Sequence, residues 1–118
     1  MTAYTIVHRD DLERTGSWLL VRRSLGVTSF GANLVDIAPG ASIPEHDETG
    51  RDQEEVFFVL TGSPHVVIEG EEYEAPAGTF VRIDPSLRRT MVNHGDDAAS
   101  VLIISAPTTS GYAPMEWA

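Results

Sequence analysis

Cysteine is absent from the 118-residue sequence, and its absence removes several kinds of site at once. A chain without cysteine has no disulfide framework, no thiolate metal ligand and no thiol nucleophile. Histidine, aspartate, glutamate and glutamine remain as the side chains that could ligate a metal or move a proton. The chemistry of this protein must therefore use nitrogen and oxygen donors.

Basic side chains are also few, with 8 Lys and Arg residues against 18 Asp and Glu residues. The formal net charge of -10 opposes binding to polyanions, so we expect neither a nucleic acid nor an anionic membrane surface as a partner. Long apolar runs are missing too, since no stretch approaches the roughly 20 residues of a membrane span. The opening residues lack the basic and apolar segments of a secretory signal, which predicts a cytoplasmic protein.

Helical periodicity is scarce, and its strongest suggestion is a short N-terminal piece from Arg9 to Arg14. The rest of the chain favours strands, as short runs rich in β-branched and aromatic residues occur at Trp18–Val21, Thr28–Ile37, Val56–Leu60, His65–Ile68, Thr79–Ile83, Thr90–Val92 and Val101–Ile104. Turn residues such as Pro39-Gly40 and Gly62-Ser63-Pro64 separate these runs. Many short strands without room for crossover helices predict one all-β domain over residues 1–118, built as an antiparallel sandwich or barrel.

Two of the predicted strands are apolar on both faces. In the run Glu55 to Leu60, Phe57 and Val59 point one way while Val56, Phe58 and Leu60 point the other. Because a sandwich buries only one face of each sheet, the second face needs another cover, and we expect a homodimer. The aromatic tail of residues 105–118 is expected to pack onto the barrel or onto a partner subunit.

The most specific signal lies in the segment Pro39 to Gly62, PGASIPEHDETGRDQEEVFFVLTG. Five residues separate Gly40 from His46, and six separate Glu55 from Gly62. This spacing resembles the first motif of the cupin superfamily, G-x5-H-x-H-x3,4-E-x6-G, over residues 40–62.

A second segment, residues 70–93 with the sequence GEEYEAPAGTFVRIDPSLRRTMVN, resembles the second cupin motif. Gly70, Pro76, Gly78 and Asn93 are in register with it. The resemblance implies a jelly-roll β-barrel. It also implies that residues of both motifs converge inside the barrel, where typical cupins use two histidines, the glutamate and a last histidine to bind iron, manganese, nickel or zinc.

This sequence departs from that pattern at three places. Glu48 stands where the second histidine is expected, the gap from Glu48 to Glu55 is longer than usual, and Arg89 replaces the last histidine. Two interpretations remain open. In the first, His46, Glu48 and Glu55, with Gln53 as a further candidate, bind a divalent metal such as Mn, Fe, Ni or Zn.

In the second interpretation, Arg89 pairs with Glu55 and the site binds a small polar metabolite without a metal. Strand alternation supports it, because Gln53 and Glu55 share one face, as do Arg89 and Met91. Arginine cannot ligate a metal, and its charge repels one nearby, so we slightly favour the metal-free site.

We therefore expect a small-molecule-binding cupin, plausibly an enzyme acting on a carboxylate, carbonyl or phenolic metabolite. The expected catalytic residues are His46, Glu55 and Arg89, and the expected ligand contacts are Gln53, Phe57, Arg89 and Met91. Two alternatives are a metal-dependent dioxygenase or isomerase and a non-catalytic sensor or scaffold subunit.

No catalytic or metal-binding role is expected for three further histidines. His8, His65 and His94 have no partner at metal-ligand spacing along the chain, which predicts structural or exposed roles. Phe80 and Trp18 are expected in the core.

Overall fold

The computed structural model describes residues 3–118 as two antiparallel β-sheets that face each other across a shared core. The strands are β1 Arg14–Thr15, β2 Trp18–Leu19, β3 Gly31–Ile37, β4 Gln53–Thr61, β5 His65–Ile68, β6 Glu71–Glu74, β7 Phe80–Ile83, β8 Arg89–Val92 and β9 Ala99–Pro107. The larger sheet has six strands in the order β1-β2-β3-β9-β4-β7, and the smaller has three in the order β6-β5-β8. This is the all-β jelly-roll that the sequence predicts.

Alternation along β4 shows how the sequence builds the core. Glu55, Phe57 and Val59 are buried, while the residues between them are half-buried or exposed. Burying one phenylalanine side chain contributes about 1.5–3 kcal/mol, so this apolar stripe fixes which face of β4 points inward. On the opposing sheet, Arg89 and Met91 of β8 are both fully buried. The two strands therefore direct a carboxylate and a guanidinium into one interior.

The segment before β4 joins the smaller sheet beside β8. Ser42 pairs with Val92, and His46 pairs with Arg89, both as isolated antiparallel bridges. The His46–Arg89 bridge has two backbone hydrogen bonds, of 3.1 and 2.9 Å. Because these bonds fix the backbone at both positions, the histidine of the first motif lies directly beside the arginine of the second.

Gly62, the last residue of the first motif, closes the turn after β4. Its φ of +83° lies in the left-handed region, and a Cβ atom there would come within 2.8 Å of the Ala99 backbone. Glycine is needed at this position both for its conformation and for the close approach of β9.

Several sequence-based expectations are wrong in detail. The N-terminal helical piece is one 3-10 turn at Arg9–Asp11, followed by strand β1, while the short helix α1 at Val21–Leu25 begins where a strand is expected to end. Phe80 lies on the outer face of the larger sheet and is 70% exposed instead of in the core.

The tail separates from the barrel after Thr108, whose N–H donates to the Asp52 carbonyl at 3.0 Å. Residues 105–107 belong to β9, and every residue from 108 to 118 is exposed. Packing of residues 108–118 onto a partner subunit stays a prediction. No helix among residues 3–118 has the length and apolar character needed to cross a bilayer.

Candidate functional site

His46 is held so that one ring nitrogen faces the barrel interior. Its Nδ1 lies 2.9 Å from the Pro44 carbonyl oxygen, which can only accept a hydrogen bond. Nδ1 therefore carries the proton in the neutral ring, and Nε2 keeps its lone pair. That Nε2 lies 3.3 Å from Glu48 Oε1 and 3.8 Å from Glu55 Oε1. The imidazole is oriented to accept a proton between two carboxylates.

Glu55 and Arg89 form the innermost part of the site. Arg89 Nε donates to Glu55 Oε1 at 3.1 Å, and Arg89 Nη1 donates to the Leu87 carbonyl at 2.6 Å. Arg89 Nη2 lies 3.0 Å from the same Glu55 oxygen, but its N–H bonds do not point at it. Within residues 3–118, Nη2 is the only buried side-chain nitrogen or oxygen without a hydrogen-bond partner. The pair is thus joined by charge and one well-formed hydrogen bond.

Burial raises the pKa of Glu55 above its ordinary value, because the carboxylate loses contact with water. The charge of Arg89 and its hydrogen bond act in the opposite direction, and the nearby Glu48 adds to the rise. Burial outweighs the arginine here. Glu55 consequently holds a proton more readily than a solvated glutamate does.

Glu48 connects this interior to the surface. Its Oε2 accepts a hydrogen bond from Arg51 Nε at 3.2 Å, while its Oε1 faces His46. The backbone N–H of Glu48 donates to the Pro85 carbonyl at 2.9 Å, which fixes the loop. Ionisable groups therefore run in sequence from Arg51 at the surface through Glu48, His46 and Glu55 to Arg89 in the core.

These groups lie at one side of a cavity of about 700 Å³. That volume is within the range of small-molecule sites. Four predicted site residues line it, namely His46, Glu48, Gln53 and Glu55. The amide of Gln53 donates to the Arg51 carbonyl at 3.0 Å.

Three other predicted site residues lie behind the cavity wall. Arg89, Phe57 and Met91 are fully buried and contribute nothing to the cavity lining. The expected direct ligand contacts of these side chains do not follow from this geometry. Arg89 instead forms an ion pair with Glu55, and Phe57 and Met91 belong to the hydrophobic core.

Two arginines that the sequence did not single out line the cavity, Arg22 of α1 and Arg51. Arg22 Nη1 donates to the Val27 carbonyl at 3.1 Å, which fixes its direction. Trp18, expected in the core, also lines the cavity. The position of Arg51, three residues after Glu48, could have indicated an ion pair with that glutamate. The sequence around Arg22 has no feature that indicates a site.

The donor set matches only part of the metal centre that the motifs imply. His46, Glu48 and Glu55 offer ligand atoms within 4.8 Å of one another, enough for three positions. Arg89 stands where the motifs place the fourth metal ligand, and its guanidinium contacts the Glu55 oxygen nearest His46. A unit charge pair at 4 Å interacts by about 4 kcal/mol at an effective dielectric constant of 20, and a divalent ion doubles this repulsion. The site therefore does not fit the usual four-ligand centre.

Comparison with solved structures finds the same architecture in other proteins. A cupin protein from Bacteroides fragilis has a TM-score of 0.81 at 24% identity, over 98% of this chain and 93% of that chain. A sugar phosphate isomerase of the cupin superfamily from Silicibacter pomeroyi has a TM-score of 0.75 at 21% identity, over 88% and 76%. A protein from Photorhabdus luminescens has a TM-score of 0.70 at 18% identity, over 93% and 92%. At these identities the likeness shows the fold.

Comparison with curated proteins finds no significant match. The family model described as "Cupin domain" matches residues 33–105, which include both motifs and every residue of the charged site from His46 to Arg89. The matched segment, the jelly-roll topology and the converging motif residues agree, and this chain belongs to the cupin family.

Proposed function

We propose that this cupin binds a small anionic metabolite carrying a carbonyl group, and that it transfers a proton of that metabolite through His46. The observation that supports the proposal is the orientation of the His46 ring. Its protonated Nδ1 is held by Pro44, and its free Nε2 lies at the cavity between Glu48 and Glu55. A general base needs this combination of a fixed tautomer and an accessible lone pair.

Recognition of an anion is supported by the two arginines of the cavity wall. The chain carries a net charge of -10, so an anionic ligand is repelled by most of its surface. Arg22 and Arg51 are both lining residues of the cavity, so two positive charges lie near a ligand bound there. Guanidinium groups bind carboxylates and phosphates through paired hydrogen bonds, so these classes of anion suit the cavity best.

The remaining side chains have different roles in the proposed proton transfer. His46 Nε2 takes a proton from the carbon beside the carbonyl, and the electron pair of that C–H bond moves onto the carbonyl oxygen to give an enolate. Glu48 and Glu55 stabilise the imidazolium until it returns the proton to the metabolite. Arg89 is a positioning residue, because it reaches the cavity only through Glu55. Two structural neighbours named as a sugar phosphate isomerase and a putative sugar phosphate isomerase make phosphorylated hydroxy-carbonyl compounds the first candidates to test.

Deuterium exchange tests the proposal without knowledge of the product. Ribose 5-phosphate and related aldose and ketose phosphates are incubated with the protein in D₂O, and loss of the proton beside the carbonyl is followed by NMR. Wild-type protein should accelerate exchange of at least one compound. His46→Ala should slow it by about 100-fold or more, in keeping with the usual contribution of a general base.

His8→Ala is the matched control, because this exposed histidine lies away from the cavity and should leave exchange unchanged. Exchange that persists at the wild-type rate in His46→Ala would rule out the assigned base. Metal analysis of the same tag-free samples tests the metal-dependent alternative, which the three clustered donors favour. Stoichiometric metal in wild type that is lost in His46→Ala would support that alternative.

We also propose that the outer face of the larger sheet packs against a second copy of the chain. Phe58 and Phe80 stack there with ring centroids 4.2 Å apart, beside the partly exposed Leu60 and Ile104. Contiguous apolar surface of this kind is typical of protein interfaces. Light scattering should give a dimer for wild type and a monomer for Phe80→Glu, whereas a wild-type monomer at micromolar concentration would refute the proposal.

A further inference from the structure

A second cluster of potential metal ligands lies outside the cavity, on the outer face of the smaller sheet. It consists of His65 on β5, Glu72 on β6 and His94 in the loop after β8. His65 Nδ1 is 3.3 Å from Glu72 Oε1, and His94 Nε2 contacts the same oxygen. His65 and His94 have no partner at ligand spacing along the chain, but the fold brings both to Glu72.

Strand register explains why these residues meet. His65 pairs with Glu74 of β6, so Glu72 is its diagonal neighbour on the same face. On the other side His65 pairs with Val92, and His94 follows two residues later. Since side chains alternate with a period of two, all three point to the outside of the sheet. The rings of His65 and His94 lie edge to face with centroids 5.0 Å apart.

The loop that carries His94 is fixed by its neighbour Asn93. The buried Asn93 amide donates to the carbonyls of Ile37 and Asp97, both at 2.8 Å, and its oxygen accepts from the Gly95 N–H at 3.0 Å. These three bonds anchor the backbone on both sides of His94. Because the loop is already fixed, a side chain on it loses little conformational entropy when it coordinates a metal ion.

The geometry points to a surface site for a divalent transition-metal ion, which we infer to be a zinc-type site with His65, Glu72 and His94 as its ligands. Tetrahedral zinc with bonds of about 2.0–2.2 Å places neighbouring ligand atoms about 3.3 Å apart, which matches the His65–Glu72 distance. Two imidazoles and one carboxylate suit zinc and its neighbours better than calcium or magnesium, which prefer oxygen ligands. One coordination position stays open for water.

The electrostatic setting differs from that of the cavity. In residues 3–118, Glu72 forms ion pairs only with His65 and His94, and no arginine contacts it. The chain's net charge of -10 further favours a cation.

A bound ion would connect the β5–β6 hairpin to the loop between β8 and β9. It would act on the smaller sheet without entering the cavity, so the site is independent of the proposed proton transfer. Glu72 and His94 are exposed and His65 is half-buried, and none of the three belongs to the hydrophobic core, so substitution there should leave the fold intact.

Zinc titration of the full-length protein tests the site. Competition with a chromophoric chelator gives the affinity, and NMR of ¹⁵N-histidine-labelled protein shows which rings respond. Wild type should bind zinc with shifts at His65 and His94. His65→Ala and His94→Ala should each weaken this binding by about 10-fold or more, since each removes one of three ligands.

Two controls separate this cluster from the cavity. His46→Ala removes the cavity histidine and should keep the zinc-induced shifts of the other two rings, and His8→Ala should bind as wild type does. The inference fails if zinc shifts only His46, or if the double variant His65→Ala/His94→Ala binds zinc as tightly as wild type. Either result would leave the three residues as a hydrogen-bonded surface cluster.

Discussion

In two of this protein's contacts between a carboxylate and an arginine, the pKa of the carboxylate shifts in opposite directions. Glu55 meets Arg89 inside the barrel, with both side chains almost completely buried. Asp36 meets Arg9 on the outer side of β3, where both Asp36 oxygens accept from Arg9 Nη2 at 2.7 Å. Burial raises the pKa of Glu55, whereas for Asp36 the effect of burial is overcome by hydrogen bonds from Arg9 and Ser100, so its pKa is lowered.

The comparison shows that an arginine neighbour does not by itself decide the state of a carboxylate. Asp36 keeps part of its contact with water and gains a further hydrogen bond from Ser100 Oγ at 2.7 Å. Glu55 is shielded from water and lies near a second carboxylate, Glu48. The inner pair is therefore suited to proton chemistry, and the outer pair is suited to fixing the N-terminal segment against β3.

The largest expected effect comes from removing each arginine in turn. Arg89→Ala should lower the free energy of unfolding by about 3–5 kcal/mol, because it leaves a buried carboxylate without its partner. Arg9→Ala should cost about 1 kcal/mol or less, as is usual for partly exposed pairs. Urea unfolding monitored by fluorescence measures both differences.

Arg88→Ala is the matched control for the inner arginine. Arg88 precedes Arg89 in the chain but is exposed and lies 3.6 Å from the exposed Glu45. Its removal should change stability by no more than about 0.5 kcal/mol. Equal losses for Arg88→Ala and Arg89→Ala would show that burial of the guanidinium does not set its contribution.

Much of the fold was predictable because apolar alternation marks most strands. The run His65–Ile68 was predicted with its observed bounds, and β3, β4 and β9 were recognised within longer or shorter runs. Strand β6, Glu71–Glu74, was missed because all four residues are exposed and only backbone pairing with β5 makes them a strand. Helix α1 is too short to show a helical period.

The part of the candidate site that follows from motif spacing was predictable from the sequence. Spacing indicated His46, Glu55 and Arg89, and the structure brings them together. It could not indicate that Arg89 lies behind the cavity wall, because depth depends on how the two sheets pack. The cluster of His65, Glu72 and His94 depends on strand register, which has no local signal in these residues.

The pH dependence of stability should have opposite signs for the two carboxylates. The folded pKa of Glu55 is raised, so its contribution is complete below the ordinary value of 4.5 and is lost as the pH rises through the folded value. The folded pKa of Asp36 is lowered, so its contribution is present above the ordinary value of 3.8 and is lost as the pH falls.

Melting temperatures of Glu55→Gln and Asp36→Asn, measured against wild type from acid to neutral pH, test these signs. Relative to wild type, Glu55→Gln should gain stability as the pH rises above 4.5. Asp36→Asn should lose stability relative to wild type as the pH rises towards 3.8, and then stay at a constant deficit. Each pKa unit of difference corresponds to about 1.4 kcal/mol. Parallel curves for the two variants would contradict the opposite directions.

The smallest expected effect concerns Arg14, the second arginine beside Asp36. Its Nη2 lies 3.4 Å from Asp36 Oδ2, and the side chain is more exposed than that of Arg9. Since Arg9 already provides two short hydrogen bonds, Arg14→Ala should change the free energy of unfolding by about 0.5 kcal/mol or less. Added salt should reduce even this difference, because exposed charges are screened. A loss as large as that of Arg9→Ala would mean that the number of positive charges around Asp36, and not the geometry of one arginine, holds the N-terminal segment in place.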